Sequence, residues 1–289
     1  MEPLLRLTCD WLERNVPEYE EPLVLVQGDT GPGNFMYEHG KVTAVVDWEL
    51  AHWGDPMDDI AWLSLRTVQD TFTHLPDRLR EYQELSGIPI DVDRVWYYRV
   101  FAEATMTTLR PNEGKNEDET SAVGRPVARD IGNGLLYAQL HRRLWLEALA
   151  HVMNMELPMP DLPSATELSE WHHLYDDMLG SMQLIVPRIG DPLASQWTKG
   201  IVRVVKYLKE LDATGRLYDS LEREEIARLI GHSEPIPSAA RAALAEAARS
   251  GKVTDEDYVQ VLFNKMQRDE QLLRTASGAL HERTWPPLI

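Results

Sequence analysis

One stretch constrains this chain more than any other: VLVQGDTGPGNFMYEHGKVTAVVDWELAHWGDP, residues 24–56. The apolar run at 23–26 reads as a buried strand. It ends in a Gly/Pro-rich turn that holds an acid, Asp29, and an amide, Asn34. Two segments rich in β-branched and aromatic residues follow, 35–37 and 42–46, with Glu38-His39-Gly40-Lys41 between them. That pattern predicts a β-hairpin turning at His39-Gly40, where Gly40 tolerates a positive φ. Facing residues across such a hairpin have numbers summing to about 80, so Asn34 falls opposite Val46 and Asp47. Asp29 sits at the mouth of the preceding strand. The topology therefore brings three oxygen-bearing side chains together.

The chemistry of that set is specific. An amide oxygen and a carboxylate are hard ligands suited to Mg²⁺, which takes one or two carboxylates and completes its shell with water and substrate phosphates. Asp29 is offset from the pair and is placed to accept a proton from an attacking hydroxyl. An acid, an amide five residues later and a second acid on the following hairpin form the arrangement of kinase phosphoryl transfer. The plainer reading makes Asp29 and Asn34 turn formers and Asp47 a strand-end acid. A strand before the loop and a hairpin after it weigh against that reading.

Around this core the chain reads as helical. Leu4, Leu5, Leu7, Trp11 and Leu12 lie mostly on one face of a helix over 3–15. Asp55-Pro56-Met57-Asp58 predicts a helix start with Asp55 as N-cap and Pro56 at N1, running through Leu65. Helices are expected over 92–110 and 129–153, with 111–126 between them read as a mobile loop and its acidic part, 111–120, as a candidate lid or a solvated loop. The proline-rich stretch 155–168 marks a boundary. Beyond it, periodic patterns predict helices at 169–186, 195–212, 217–230, 238–250 and 254–280. His141, in the run His141-Arg142-Arg143, reads as a solvated helix position, and the pair His172-His173 looks metal-like only in isolation, since adjacent histidines point in different directions on a helix. His52 is placed at the site edge, Trp53 in the core. Glu49 shares a side with Asp47 if the chain there is extended.

Composition excludes some functions. Asp and Glu outnumber Lys and Arg 47 to 29, a net charge of −18, so the mean field repels nucleic acid and anionic membrane. A single cysteine, Cys9, allows no disulfide within the chain and suits a reducing cytoplasm. No apolar run approaches the length of a membrane span, and the N-terminus lacks a signal-peptide pattern.

The residues QGDTGPGNFMYEHGKVTAVVDWELAHWGDPMDDIAW resemble the signature region of the aminoglycoside phosphotransferase and choline kinase-like family. That family carries a His-Gly-Asp-x-x-x-x-Asn loop followed by Ile-Asp-Trp and Gly-Asp-Pro-x-x-Asp-Leu-Ala segments. The resemblance implies that Asp29 is the catalytic base, that Asn34 and Asp47 hold Mg²⁺ on nucleotide phosphates, and that Asp59 braces the loop from behind. Glu49 is a supporting candidate. Gln27 stands where the family has His. The implied fold is mainly α with a small β-hairpin, the C-terminal lobe of a protein-kinase-like fold, over 1–155, with a helical accessory domain over 156–289.

The expected activity is transfer of the γ-phosphate of ATP or GTP to a small hydroxyl-bearing acceptor. The family also has an N-terminal lobe that clamps the nucleotide, and only 28 residues precede Asp29 here. A partner chain would have to supply that lobe, or the chain is part of a longer product. The alternative is a catalytically silent kinase-like module that binds a protein partner. The acceptor and the oligomeric state are not written in the sequence.

Overall fold

The computed structural model describes residues 3–109, 130–164 and 167–289. The expected mobile loop at 111–126, with the candidate lid at 111–120, lies outside the described residues. The chain is mostly helical, and it divides into two compact units. Unit one comprises residues 1–110, 147–155 and 282–289, and unit two comprises 111–146 and 156–281.

Unit one opens with α1 (Pro3–Arg14), which buries Leu4, Leu7, Thr8 and Leu12 along one stripe. The short strand β1 (Val24–Val26) follows, then a single 3₁₀ turn at Pro32–Asn34 and the hairpin of β2 (Phe35–Glu38) and β3 (Lys41–Val45). Phe35 faces Val45, Met36 faces Ala44 and Glu38 faces Lys41, with an irregularity between Met36 and Tyr37. His39 and Gly40 both take positive φ at the turn, 50° and 76°.

The sequence gives no clear sign of the next strand, β4 (His52–Gly54). It pairs antiparallel with β1, Leu25 opposite Trp53, and makes a second two-stranded sheet. Trp53, expected in the core, is 69% exposed, because a two-stranded ribbon buries at most one face.

Helix α2 (Met57–Gln69) starts one residue later than the N-cap pattern predicts and continues beyond Leu65. Asp55 Oδ1 accepts the Met57 amide at 2.9 Å, so the acid does satisfy a free N–H at the helix start. Helix α3 (Leu75–Ser86), ended by Gly87 in the left-handed region, has no counterpart in the sequence reading. Helix α4 (Val92–Leu109) completes the layer. Met57, Ile60, Ala61, Leu75, Leu79, Val95 and Leu288 form the buried cluster that these helices share. Arg99 is wholly buried, its guanidinium 4.2 Å from the Trp96 ring and 4.6 Å from the Trp285 ring. Its Nε donates to Ser64 Oγ at 3.0 Å, and burial pulls its pKa down to about 9. Helix α5 (Ile131–Val152) follows the undescribed segment.

Unit two is built on α7 (Pro192–Ile230), flanked by α6 (His173–Ile185), α8 (Pro237–Arg249) and α9 (Asp255–Ser277). The periodicity predicts two helices at 195–212 and 217–230, but the structure has one of 39 residues, about 58 Å long. Gly215 lies inside it, and an added Cβ there would meet Leu211 Cδ1 at 2.6 Å. The glycine therefore makes room for a neighbour. Asp191 caps the helix by accepting the Ala194 amide. His141, expected on a solvated face, is 5% exposed, and its neighbour Arg143 is buried in an ion pair with Glu270. Glu222 with Arg241, at 2.6–2.7 Å, and Glu225 with Arg268 are further pairs that take charge into this unit.

No helix of the described residues is long and apolar enough to cross a membrane.

Candidate active site

The loop between β1 and β2 is hung on one carboxylate. Asp59, on the first turn of α2, accepts the Gln27 amide at Oδ2 (3.0 Å) and the Gly28 amide at Oδ1 (3.0 Å). The Thr30 hydroxyl donates to the same Oδ1 at 2.5 Å. Gly28 has φ 81°, and a Cβ there would lie 2.6 Å from the Leu50 carbonyl oxygen. Glycine is required on both counts.

Gln27 ties this loop to the far end of the hairpin. Its Nε2 donates to the carbonyls of Val46 (3.2 Å) and Asp47 (2.6 Å), while its Oε1 accepts the Asp29 amide at 2.8 Å. A carboxamide has both donors and an acceptor, so one side chain performs both tasks. The two carbonyl contacts hold Asp47 in the left-handed region, φ 63°, which costs a non-glycine residue about 1–2 kcal/mol.

Asn34 and Asp29 are in contact. Asn34 Nδ2 donates to the Asp29 carbonyl at 2.9 Å and to Asp29 Oδ2 at 3.0 Å. Both amide hydrogens are thereby used, and Oδ1 of Asn34 is left for a hard cation. Asn34 also accepts the Val46 amide through its backbone carbonyl at 2.9 Å, which seats it beside Asp47 as the register predicts. Asp47 is exposed, and Asp29 is half-buried. The extended geometry that aligned Glu49 with Asp47 does not hold. The positive φ at Asp47 turns the chain, and Glu49 is exposed in the turn that follows.

Among the described residues no group of three His, Cys, Asp or Glu side chains is placed to hold a metal ion. An amide and a single carboxylate, completed by water and phosphate oxygens, are a different donor set and suit Mg²⁺.

Several residues at the site escape sequence reasoning. Arg66, in the last turn of α2, forms an ion pair with Asp29 Oδ1. Nothing in the spacing foretells a contact across 37 positions. His52, expected at the site edge, lies 3.3 Å from Asp58, a carboxylate only 1% exposed. Burial raises the Asp58 pKa to about 7, with His52 pulling it down and Asp59 and Asp55 pushing it up. In unit one, a cavity of about 500 Å³ lies among Trp11, Arg94, Trp96, Tyr97 and His151 and includes none of the loop residues.

Residues 3–94, which contain every one of the loop and hairpin contacts above, match the phosphotransferase enzyme family. This segment is aminoglycoside phosphotransferase-like. The phosphotransferase-like segment has relatives under two quite different names. The chain is 33% identical over 98 residues to acyl-CoA dehydrogenase family member 11 of Rattus norvegicus, covering 33% of this chain and 13% of that protein. The Homo sapiens protein of the same name is 32% identical over 89 residues, covering 30% of the chain and 11% of that protein. Hygromycin-B 4-O-kinase of Escherichia coli is 26% identical over 141 residues, covering 45% of the chain and 39% of the kinase. The chain thus spans well under half the length of these curated relatives. No solved structure gives a significant match.

Proposed function

We propose that unit one is the C-terminal lobe of a protein-kinase-like fold and supports phosphoryl transfer from a nucleotide, ATP or GTP, to a hydroxyl of a small acceptor. One observation carries this reading: Asp29, Asn34 and the strand end bearing Asp47 are held together by Gln27 and Asp59 through a connected set of hydrogen bonds. A turn with incidental polar residues needs no such network. The name of the hygromycin kinase adds support for a hydroxyl acceptor.

In this reading Asp29 receives the acceptor proton. Its Oδ2 is oriented by the Asn34 amide, and its backbone is fixed by Gln27. Asn34 Oδ1 and the Asp47 carboxylate are the residues that would hold Mg²⁺, which supplies charge neutralisation on the phosphates. Asp59 acts on the backbone of the loop, not on the reactants. Glu49, exposed two residues beyond Asp47, is a supporting contact to nucleotide or metal only if its turn moves. A reducing cytoplasm suits the single cysteine.

A second observation bears on partners. Leu25, Met36, Tyr37, Val42, Trp48 and Trp53, on the two small sheets and the turn after them, are each 46–69% exposed. Apolar surface of that kind beside a site supports a covering lobe supplied by a partner chain. If the metal pair binds nothing, the same surface favours a silent module that works by binding that partner.

Thermal unfolding with and without Mg-ATP or Mg-GTP separates the two. A nucleotide bound only by the folded state, at about a hundred times its dissociation constant, adds about 2.7 kcal/mol. The shift should require magnesium and vanish in Asp47→Ala. Asp29→Asn should keep the shift and abolish transfer; full activity in that variant removes Asp29 as the base.

A further inference from the structure

We propose that Arg66 is a positioning residue for Asp29, an inference that rests on the reading of Asp29 as the proton acceptor. The side chain is fixed at four points along its length. Its stem lies over Gly31, where an added Cβ would come 2.5 Å from Arg66 Cγ and 3.1 Å from Cδ. The guanidinium carbon stands 5.8 Å from the Trp62 ring centroid, one turn back on α2. One terminal nitrogen donates to Gln69 Oε1 at 2.8 Å, and the other meets Asp29 Oδ1. The Arg66 side chain is only 22% exposed and that of Asp29 21%. A surface arginine that happened to find an acid would have none of this support.

The consequence concerns orientation. Asn34 holds Asp29 Oδ2 and Arg66 holds Oδ1, so the plane of the carboxylate is set from both sides. Either contact alone leaves the group free to rotate about its Cβ–Cγ bond. Rotation would take both oxygens away from the positions that these two contacts set. The planar guanidinium meets Gln69 with one terminal nitrogen and Asp29 with the other, a span that a lysine ammonium does not offer, so the residue type matters as well as its charge.

Gly31 has φ −175°, an extended conformation open to any residue, so its substitution tests space and not backbone strain. It offers a way to disturb Arg66 without removing a charge.

The experiment pairs crystal structures of the wild type, Arg66→Ala, Arg66→Lys and Gly31→Ala with ADP release from Mg-ATP by the same proteins. The expected result is a carboxylate rotated away from Asn34 in Arg66→Ala and Gly31→Ala. Release should fall at least tenfold in kcat with KM for the nucleotide unchanged, and Arg66→Lys should recover part of the rate. An Asp29 carboxylate that stays on Asn34 without Arg66 overturns the proposal, whatever the rate. So does a rotated carboxylate with an unchanged kcat. If the carboxylate still rotates in the variants while the wild type releases no ADP and shows no magnesium-dependent thermal shift with nucleotide, the hold of Arg66 on Asp29 stands and the phosphotransfer reading fails.

Discussion

The two compact units of this chain handle polar groups in opposite ways. In unit one the half-buried carboxylate Asp59 is spent on backbone amides, and it fixes the shape of a loop. In unit two Glu222 and Glu225 are spent on arginine side chains, and they join helices that are regular without them. The first use specifies a local conformation that the chain would not adopt alone. The second adds register and stability to elements that propensity and apolar periodicity already favour. That difference separates a segment with recognisable chemistry from one in which no chemical motif is found.

Four tests bear on the contrast, beginning with the largest expected effect. Asp59→Ala strands two amides and a hydroxyl together. It should destabilise unit one by about 3–5 kcal/mol in denaturant unfolding, given the cost of buried donors left without acceptors. Glu225→Ala leaves the Arg268 guanidinium, whose side chain is 4% exposed, with an uncompensated charge, and should cost about 3 kcal/mol. Glu222→Ala should cost only about 1 kcal/mol, since the Arg241 side chain is 42% exposed and can turn to water. Equal costs for the two glutamates would undo the argument from burial.

The third test is pH. Asp58 is raised to about 7 in the folded protein, so the folded state holds a proton that the unfolded state has already lost. Its contribution is full at low pH and is lost as pH rises toward and through about 7, at up to about 1.4 kcal/mol per pH unit. Melting curves between pH 5 and 8 should slope downward in the wild type relative to Asp58→Asn. Parallel curves would mean that the buried acid is neutralised in another way.

The fourth test compares two glycines. Gly28→Ala must accept both φ 81° and a backbone carbonyl at 2.6 Å, and should cost about 2–3 kcal/mol. Gly215→Ala meets only the tip of a leucine. Helix propensity favours alanine there by about 1 kcal/mol, so the net change should be close to zero.

Much of unit one was legible because its information is local. The turn at His39-Gly40 set the hairpin register, and the register placed Asn34 beside Val46. Asp59, expected to brace the loop, does accept hydrogen bonds from Gln27, Gly28 and Thr30. The left-handed backbone at Asp47 was not legible, since it is imposed by a side chain 20 positions away. The same change of direction defeats the alternation argument for Glu49. Strand β4 is three residues long, too short for any period to show. Arg66 was not legible either, because its meaning lies in Gly31 and Asp29, 35 and 37 positions away in the sequence. In unit two the apolar periods located the helices but not the continuity of α7 through 213–216, for a sequence does not say whether a glycine ends a helix or admits a neighbour.

Asp59 and Arg66 stand seven residues apart on α2, two turns along the same face. One grips the backbone of the loop and the other grips its acid. Any tilt or slide of that helix therefore carries loop and acid along as one body. The angles between them survive motions that would misalign a site assembled from separate elements, and the position at which the acid is presented becomes a property of where a single helix stands.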